Sequence, residues 1–413
     1  MSTVLISGAG IAGAAAAYWL DRFGFTATVV ERAAAPRPGG HAVDLRGASP
    51  GVVARMGLLD AVRERALHEL GMAHVDADGR VRARMPAGAF GGRGAVADIE
   101  ILRGDLAGIL VGATRERVEY RYGDRITQLD QDADGVDVRF ASGRTERYDL
   151  VIGADGAHSQ VRSMVFGPEE RFVHPMGAHT AHFSISAERA AADGLDRDGW
   201  FTLHSVPARR LAALRPDRGD GVKAMFMFGS DLVSQDDLHD PRTLLRRLFA
   251  DVGWHAPAML AAMDTAEDFY FDGYSQVRMP SWVSGRVVLL GDAGYCPSPI
   301  SGQGTNLALV GAYVLAGELA LAAAGGDPVP GLAAYQRVLA DYVERNHELP
   351  PGGVNSMLPK SRLGITAGQV LMRIMTSRLL EPLAARMFAG HEETFAPRDY
   401  PAELRRMSAA DPA

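Results

Sequence analysis

A single cysteine, Cys296, stands in a chain of 413 residues. No intrachain disulfide can form and no cysteine-based metal cluster can assemble, a composition suited to a reducing compartment. There is no long basic block either. The 43 Lys and Arg stand against 50 Asp and Glu, a net charge of -7. That leaves no electrostatic footprint for nucleic acid or an anionic membrane. No basic region or signal peptide precedes the first glycine turn at Gly8, so the chain is expected in the cytoplasm. Only one long apolar run exists, Leu307 to Ala324. Glu318 interrupts it, and its alanine and glycine content reads as a helix buried between protein layers. His179 and His182 would fall on opposite faces of a strand with no carboxylate cluster beside them, so no metal site is expected. His158 and Ser159 adjoin without a nucleophile elbow or a third partner, which excludes a hydrolase triad.

What the chain does have is concentrated at its start. Residues 4 to 32 read VLISGAGIAGAAAAYWLDRFGFTATVVER, a strand at Val4 to Ile6, a glycine turn, a helix at Ala14 to Phe23 and a second strand at Thr26 to Val30. Gly8, Gly10 and Gly13 form G-x-G-x-x-G. The first allows the tight turn, the second lets a pyrophosphate approach the backbone, and the third lets helix pack on strand. The helix start then offers free N–H groups and a positive dipole end to an anion. Glu31, beside Arg32 at the end of the second strand, stands where an acid meets a ribose 2'-hydroxyl, which favours FAD or NAD over NADP.

Further along, the loop AAAPRPGGHAVDLRG carries Asp44 and Arg46 and is followed by a helix from Gly51 to about Leu67. Residues 72 to 85 read as a hairpin turning at Asp78-Gly79, and 87 to 95 as a mobile glycine-rich link. A helix at Arg103 to Ala113 precedes four short strands (118–122, 126–129, 136–140 and 145–148). The strand Leu150 to Ile152 runs into Gly153-Ala154-Asp155-Gly156. From about 170 to 278 the texture is strand-like with one helix near 241 to 250, a separate sheet domain. Within it Met225, Phe226, Met227 and Phe228 make one strand face apolar, either as plain core or as the wall of a large pocket. Beyond Pro350 an amphipathic helix, about Ile365 to Phe388, is expected to kink or break at Pro382.

Three stretches together resemble the group A flavoprotein monooxygenases, the FAD-dependent aromatic hydroxylases: GAGIAG at 8 to 13, GADGAHSQVR at 153 to 162 and GDAGYCPSPISGQGTN at 291 to 306. Their order and spacing cover most of residues 1 to 345. The GGHAVDLRG loop and the short length look closest to the tetracycline-inactivating and polyketide-tailoring members. The resemblance implies an α/β fold: a Rossmann-like FAD-binding domain (1–72, 98–168 and 280–345), an inserted mostly antiparallel β-sheet substrate domain (73–97 and 169–279) and a C-terminal helical segment (346–413). It assigns Asp292, beside Gly291, to the ribityl or ribose hydroxyls. Gly302, Gln303, Gly304 and Asn306 would meet the isoalloxazine edge and pyrophosphate. Pro299 would lie over the flavin near substrate. Arg103 and Arg46 would contact the cofactor, and Asp155 would serve both FAD and nicotinamide. Asp155 has the alternative of a turn-forming residue, and Arg46 that of a surface ion pair. Two positions depart from the family's pattern: Tyr295 stands where relatives often have histidine, and Gly311-Ala312 where they often have Asp-Ala.

The expected activity is a monooxygenase in which NADPH or NADH, a transient co-substrate, reduces FAD. O2 then forms a flavin C4a-hydroperoxide that hydroxylates an electron-rich aromatic or polyketide-type small molecule. Met225, Met227 and Pro299 are the candidate substrate contacts, and no side chain is named as catalytic. Only one dinucleotide fingerprint occurs and FAD would occupy it, so NAD(P)H is expected to bind transiently to a surface made of first-domain and sheet-domain residues. Alternatives are a flavin oxidase or Baeyer-Villiger catalyst on the same scaffold, or a redox-neutral protein with structural FAD. No nucleic acid or membrane partner is expected, and the chain is expected to be a monomer or homodimer.

Overall fold

The computed structural model describes residues 2–36, 40–90, 97–195, 198–217, 219, 221–234, 236–349, 352–377, 380 and 395–410. Its opening unit is the strand Thr3–Ser7, the helix Ile11–Arg22 and the strand Thr26–Glu31. The two strands pair in parallel, Thr3 opposite Thr26 and Ser7 opposite Val30. The helix starts three residues before Ala14 and crosses the sheet at close range because its inner face is small. Gly13 and Ala14 to Ala17 are all buried, and a Cβ on Gly13 would sit 1.9 Å from the Gly8 carbonyl oxygen.

A six-stranded sheet forms around this unit in the order Val283–Ser284, Val287–Leu289, Leu150–Gly153, Thr3–Ser7, Thr26–Glu31 and Glu119–Tyr122. All its pairings are parallel except that of the edge strand Val283–Ser284. The helix Gly304–Ala323 packs behind it. Among the described residues it is long and apolar enough to cross a membrane, yet nearly all of it is buried inside the protein. Glu318, the charge inside that run, is satisfied by the C-terminal segment. The Tyr400 hydroxyl donates to its Oε1 at 2.8 Å, and Arg398 Nη1 stands 3.5 Å away.

The second large sheet has seven strands in the order Tyr270–Val277, Val173–Ile185, Val222–Gly229, Arg210–Pro216, Trp200–Val206, Gly71–Val75 and Val81–Pro86. Only the pairing of Trp200–Val206 with Gly71–Val75 is parallel. The Met-Phe alternation lies on its third strand, and both faces are apolar rather than one. Phe226 and Phe228 pack on the helix Pro241–Phe249 through Leu245 and Phe249, while Met225 and Met227 face the other way with Leu211, Tyr274 and Ile300. A sheet covered on both sides buries residues of either parity.

Three boundaries differ from those read off the sequence. The helix expected at 51 to 67 is two, Ser49–Arg55 and Leu59–Glu64, separated at Gly57 with φ +74°. A left-handed residue ends a helix, but the apolar spacing runs on across the break because Val52, Met56 and Val62 all face the core. The seven-stranded sheet carries not only Pro241–Phe249 but also Ala256–Met263 and a short helix Ala187–Ala192. The sequence APAMLAAM is apolar on every side, so it shows no helical period. Finally, Arg362–Met375 ends well before Phe388, and Pro382 lies outside the described residues. The glycine-rich link falls mostly outside them too.

Candidate active site

The glycine turn is shaped by its neighbours. Gly8 has φ +105°, and a Cβ there would lie 2.5 Å from the Ala154 carbonyl oxygen. Gly10 caps the first helix with no side-chain hydrogen bond, which leaves the leading N–H groups without a capping acceptor. Arg103 Nη2 comes within 3.8 Å of where a Gly10 Cβ would be, so the helix Arg103–Gly112 delivers its first residue to the glycine turn. Glu31 lies against the same turn. Its two oxygens accept the Ala9 and Ala33 N–H groups at 2.9 and 2.8 Å. Arg32, next in sequence, is exposed.

The second stretch is turned toward its own helix. Asp155 accepts the Ser159 hydroxyl at 2.5 Å and the Gln160 and Val161 N–H groups at 2.8 and 3.2 Å. Burial raises its pKa, and those donors oppose the rise. Ser159 in turn accepts the Arg162 N–H, and the buried Arg162 donates to the carbonyls of Ala293 at 3.0 Å and Ala157 at 2.6 Å. Arg162 thereby ties the Asp-Gly stretch to the Gly-Asp stretch. His158 bridges Glu169 at 2.8 Å and Asp272 of the seven-stranded sheet at 3.2 Å.

In the third stretch Gly291, φ +64°, lets the chain pass the first helix, since a Cβ there would meet Ala12 Cβ at 3.0 Å. Asp292 follows. Burial pushes its carboxyl up and the Arg103 guanidinium holds it back, and its Oδ1 lies 3.7 Å from a Cβ placed on Gly304. Ser298 holds φ +78° and presents the exposed Pro299. At Gly302, φ +66°, an added Cβ would lie 3.6 Å from Asp44 Oδ2 and 3.8 Å from Arg46 Nε. Arg46 Nε donates to Asp44 Oδ2 at 2.7 Å. The helix Gly304–Ala323 starts with no side-chain cap, as the first helix does. Asn306 Nδ2 donates to Gln303 Oε1 at 2.9 Å and to the Tyr342 hydroxyl at 2.6 Å, while its Oδ1 is buried without a partner.

The fold therefore gathers the glycine turn, Glu31, Arg103, Arg46, Asp292 and the 302–306 loop around two uncapped helix starts. Asp155 joins them through its backbone, at 3.1 Å from a Gly8 Cβ, while its carboxylate serves the helix Gln160–Val165. Cradles that a Cβ would fill, uncapped N–H groups, an orphaned acceptor at Asn306 and an acid at Asp292 suit a dinucleotide with hydroxyl groups between anion and ring.

A family model described as an FAD binding domain matches residues 1–348. The chain belongs to that family: it is a group A flavoprotein monooxygenase. An uncharacterized protein of Mycobacterium tuberculosis (strain H37Rv) is 44% identical over 86% of this chain and 95% of its own. A flavin-dependent monooxygenase of Legionella longbeachae serogroup 1 (strain NSW150) is 38% identical over 87% and 90%. Among solved structures, the tetracycline destructase Tet(55) superposes with a TM-score of 0.80 at 36% identity, covering 97% of this chain and 99% of its own.

In this monooxygenase the two departures from the family's pattern prove to be one. A Cβ on Gly311 would lie 2.2 Å from the Tyr295 hydroxyl, which is 2.7 Å from the Tyr335 hydroxyl. The tyrosine fills the space that the glycine vacates. The sequence reading passed over Tyr342, which holds Asn306, and the buried acids Glu69 and Glu100. The signal for Glu100 was present: an acid set between Ile99 and Ile101 in a strand-like run.

Proposed function

We propose that this FAD-dependent monooxygenase consumes NAD(P)H and O2 to hydroxylate an electron-rich aromatic or polyketide-type small molecule in the cytoplasm. The observation that carries the reading is the partly exposed Met225 on the sheet face that packs with Ile300, next to Pro299 and the 302–306 loop. A planar apolar substrate would lie against Met225 and Pro299 beside the cofactor; Met227, expected as a third contact, is fully buried with Leu211, Val354 and Leu358 and serves as core. Similarity to a tetracycline destructase supports the same size and polarity of substrate. Bound FAD would supply electron transfer and oxygen activation, so the protein's own work is binding, orientation and exclusion of water.

The two uncapped helix starts would hold the pyrophosphate, Glu31 the adenosine ribose and Asp292 the ribityl hydroxyls. Arg46 would steer the ring or the nicotinamide phosphates, because its guanidinium stands at Gly302 beside the loop that meets the ring. NAD(P)H would dock transiently on a surface shared by the two sheets. Anaerobic stopped-flow reduction by NADPH and NADH, with and without a polyketide or tetracycline substrate, tests the reading. Substrate should accelerate reduction, and labelled O2 should then place one oxygen atom in the product. Equal rates with and without every accepted substrate would overturn the gating. Label found only in peroxide would favour an oxidase.

A further inference from the structure

Asp44, Arg215 and, through Arg215, Glu69 come from separate parts of the chain to Glu100, where a two-stranded sheet meets the seven-stranded one. Glu100 opens the strand Glu100–Leu102 and lies opposite Asp44 in the antiparallel pairing with Ala42–Asp44. Residues directly opposite in an antiparallel pair point to the same side, which sets its carboxyl beside that of Asp44. Its Oε2 also accepts Arg215 Nη2 at 3.0 Å, and Arg215 Nε donates to Glu69 Oε1 at 2.8 Å. Arg46 completes the group on the far side of Asp44 at 2.7 Å. Glu69 and Glu100 are 7% and 3% exposed, so water does not balance their charges.

Two carboxylates are both acceptors, so a hydrogen bond between Glu100 and Asp44 requires one proton. The charge balance locates it. Asp44 and Glu69 are matched by Arg46 and Arg215, and an ionised Glu100 would leave one uncompensated negative charge in a buried group. Burial pushes the Glu100 carboxyl up to about 9, with Glu69 and Asp44 adding to the rise and Arg215 opposing it. His41 and Arg103 flank the two strands, and burial keeps His41 neutral.

We infer that Glu100 is a positioning residue whose retained proton is shared with Asp44, locking the Asp44–Arg46 pair against the Gly302 loop and joining it to Arg215 of the substrate sheet. The inference rests on the proposed placement of Arg46 beside the flavin. Loss of the proton would set Glu100 against Asp44 and displace the carboxylate that positions Arg46, so the Gly302 loop would loosen at alkaline pH.

The test is the pH dependence of FAD binding to the full chain, followed by flavin fluorescence, together with the infrared carbonyl band of a protonated carboxyl. In the wild type FAD affinity should fall roughly five- to tenfold between about pH 8 and about pH 10, and the infrared band should vanish over the same range. Glu100→Gln keeps a donor to Asp44 without an ionisable proton. It should bind FAD as the wild type does at neutral pH, lack the alkaline fall and lack the band. Asp44→Asn removes the opposing charge and should move the fall to lower pH, which tests the pair if Glu100→Gln fails to fold. A flat wild-type profile, or a fall that persists unchanged in Glu100→Gln because the flavin itself ionises, would overturn the inference while leaving FAD binding intact. Wild type that binds no FAD at any pH would instead remove the cofactor reading.

Discussion

At the scale of single residues, the protein shows how a family position can change without loss of packing. Tyr295 is fully buried, and burial raises the pKa of its hydroxyl, which hydrogen-bonds to Tyr335 and through it to the Leu289 carbonyl at 3.2 Å. That chain of hydroxyls needs the space over Gly311. Gly311→Ala should therefore destabilise the protein by about 1–3 kcal/mol through overpacking. Tyr295→Phe in the same chain should cost less than the sum of the two single changes, because the clashing oxygen is gone. Urea unfolding of the four proteins of this cycle measures the coupling, and strictly additive costs would show that the two positions are independent.

At the scale of elements, the long helix Gly304–Ala323 has two tasks that pull its sequence in different directions. Its start leaves the leading N–H groups without a side-chain cap, beginning Gln303-Gly304, as the proposed cofactor contact requires. Its remainder must be buried, and so it carries sixteen buried residues in succession from Thr305 to Ala320. Glu318 is the exception that anchors the C-terminal segment. Tyr400 fills the groove over Gly317, where an added Cβ would lie 2.3 Å from its ring, and brings its hydroxyl to Glu318. Tyr400→Ala would leave both a cavity and a buried carboxylate short of a donor, a loss of about 3–5 kcal/mol. The urea midpoint should drop accordingly, while a midpoint unchanged from wild type would mean that the terminal segment does not dock on this helix in solution.

At the scale of the whole molecule, the seven-stranded sheet is tied to the rest of the protein at two sites of opposite electrostatic character. One is the buried group around Glu100, closed to water. The other is His158, half open to solvent, which spans Glu169 and Asp272. The hydrogen bond to Asp272, reinforced by Glu169, pushes the imidazole up to about 9. A pKa raised on folding contributes stability that is fully present below the unfolded value near 6.5 and is lost as pH rises through about 9. His158→Gln should accordingly lower the melting temperature most at about pH 6 and converge on wild type by about pH 10. The effect should be small, because solvent screens an exposed pair. A deficit that stays constant over that range would mean the histidine acts through packing alone.

The sequence by itself determined the opening βαβ unit, the strand-to-loop form of the three motif stretches and the family. All are contiguous signals, in which glycine spacing, strand periodicity and a terminal acid lie within a few tens of residues. The same locality singled out Gly8, Gly10, Glu31 and Asp292, which the fold brings to one place. Only the tertiary structure decided which residues distant in the chain would meet. Asp44, Glu69, Glu100 and Arg215 lie in four segments with no common period, and only the docking of the strands Ala42–Asp44 and Glu100–Leu102 against the seven-stranded sheet closes them into a single group. The same holds for Tyr295 with Gly311 and for Glu318 with Tyr400. The helix Ala256–Met263 and the second apolar face of Val222–Gly229 escaped the sequence for a related reason. Periodicity records a boundary between water and core, and an element buried on every side has no such boundary to record.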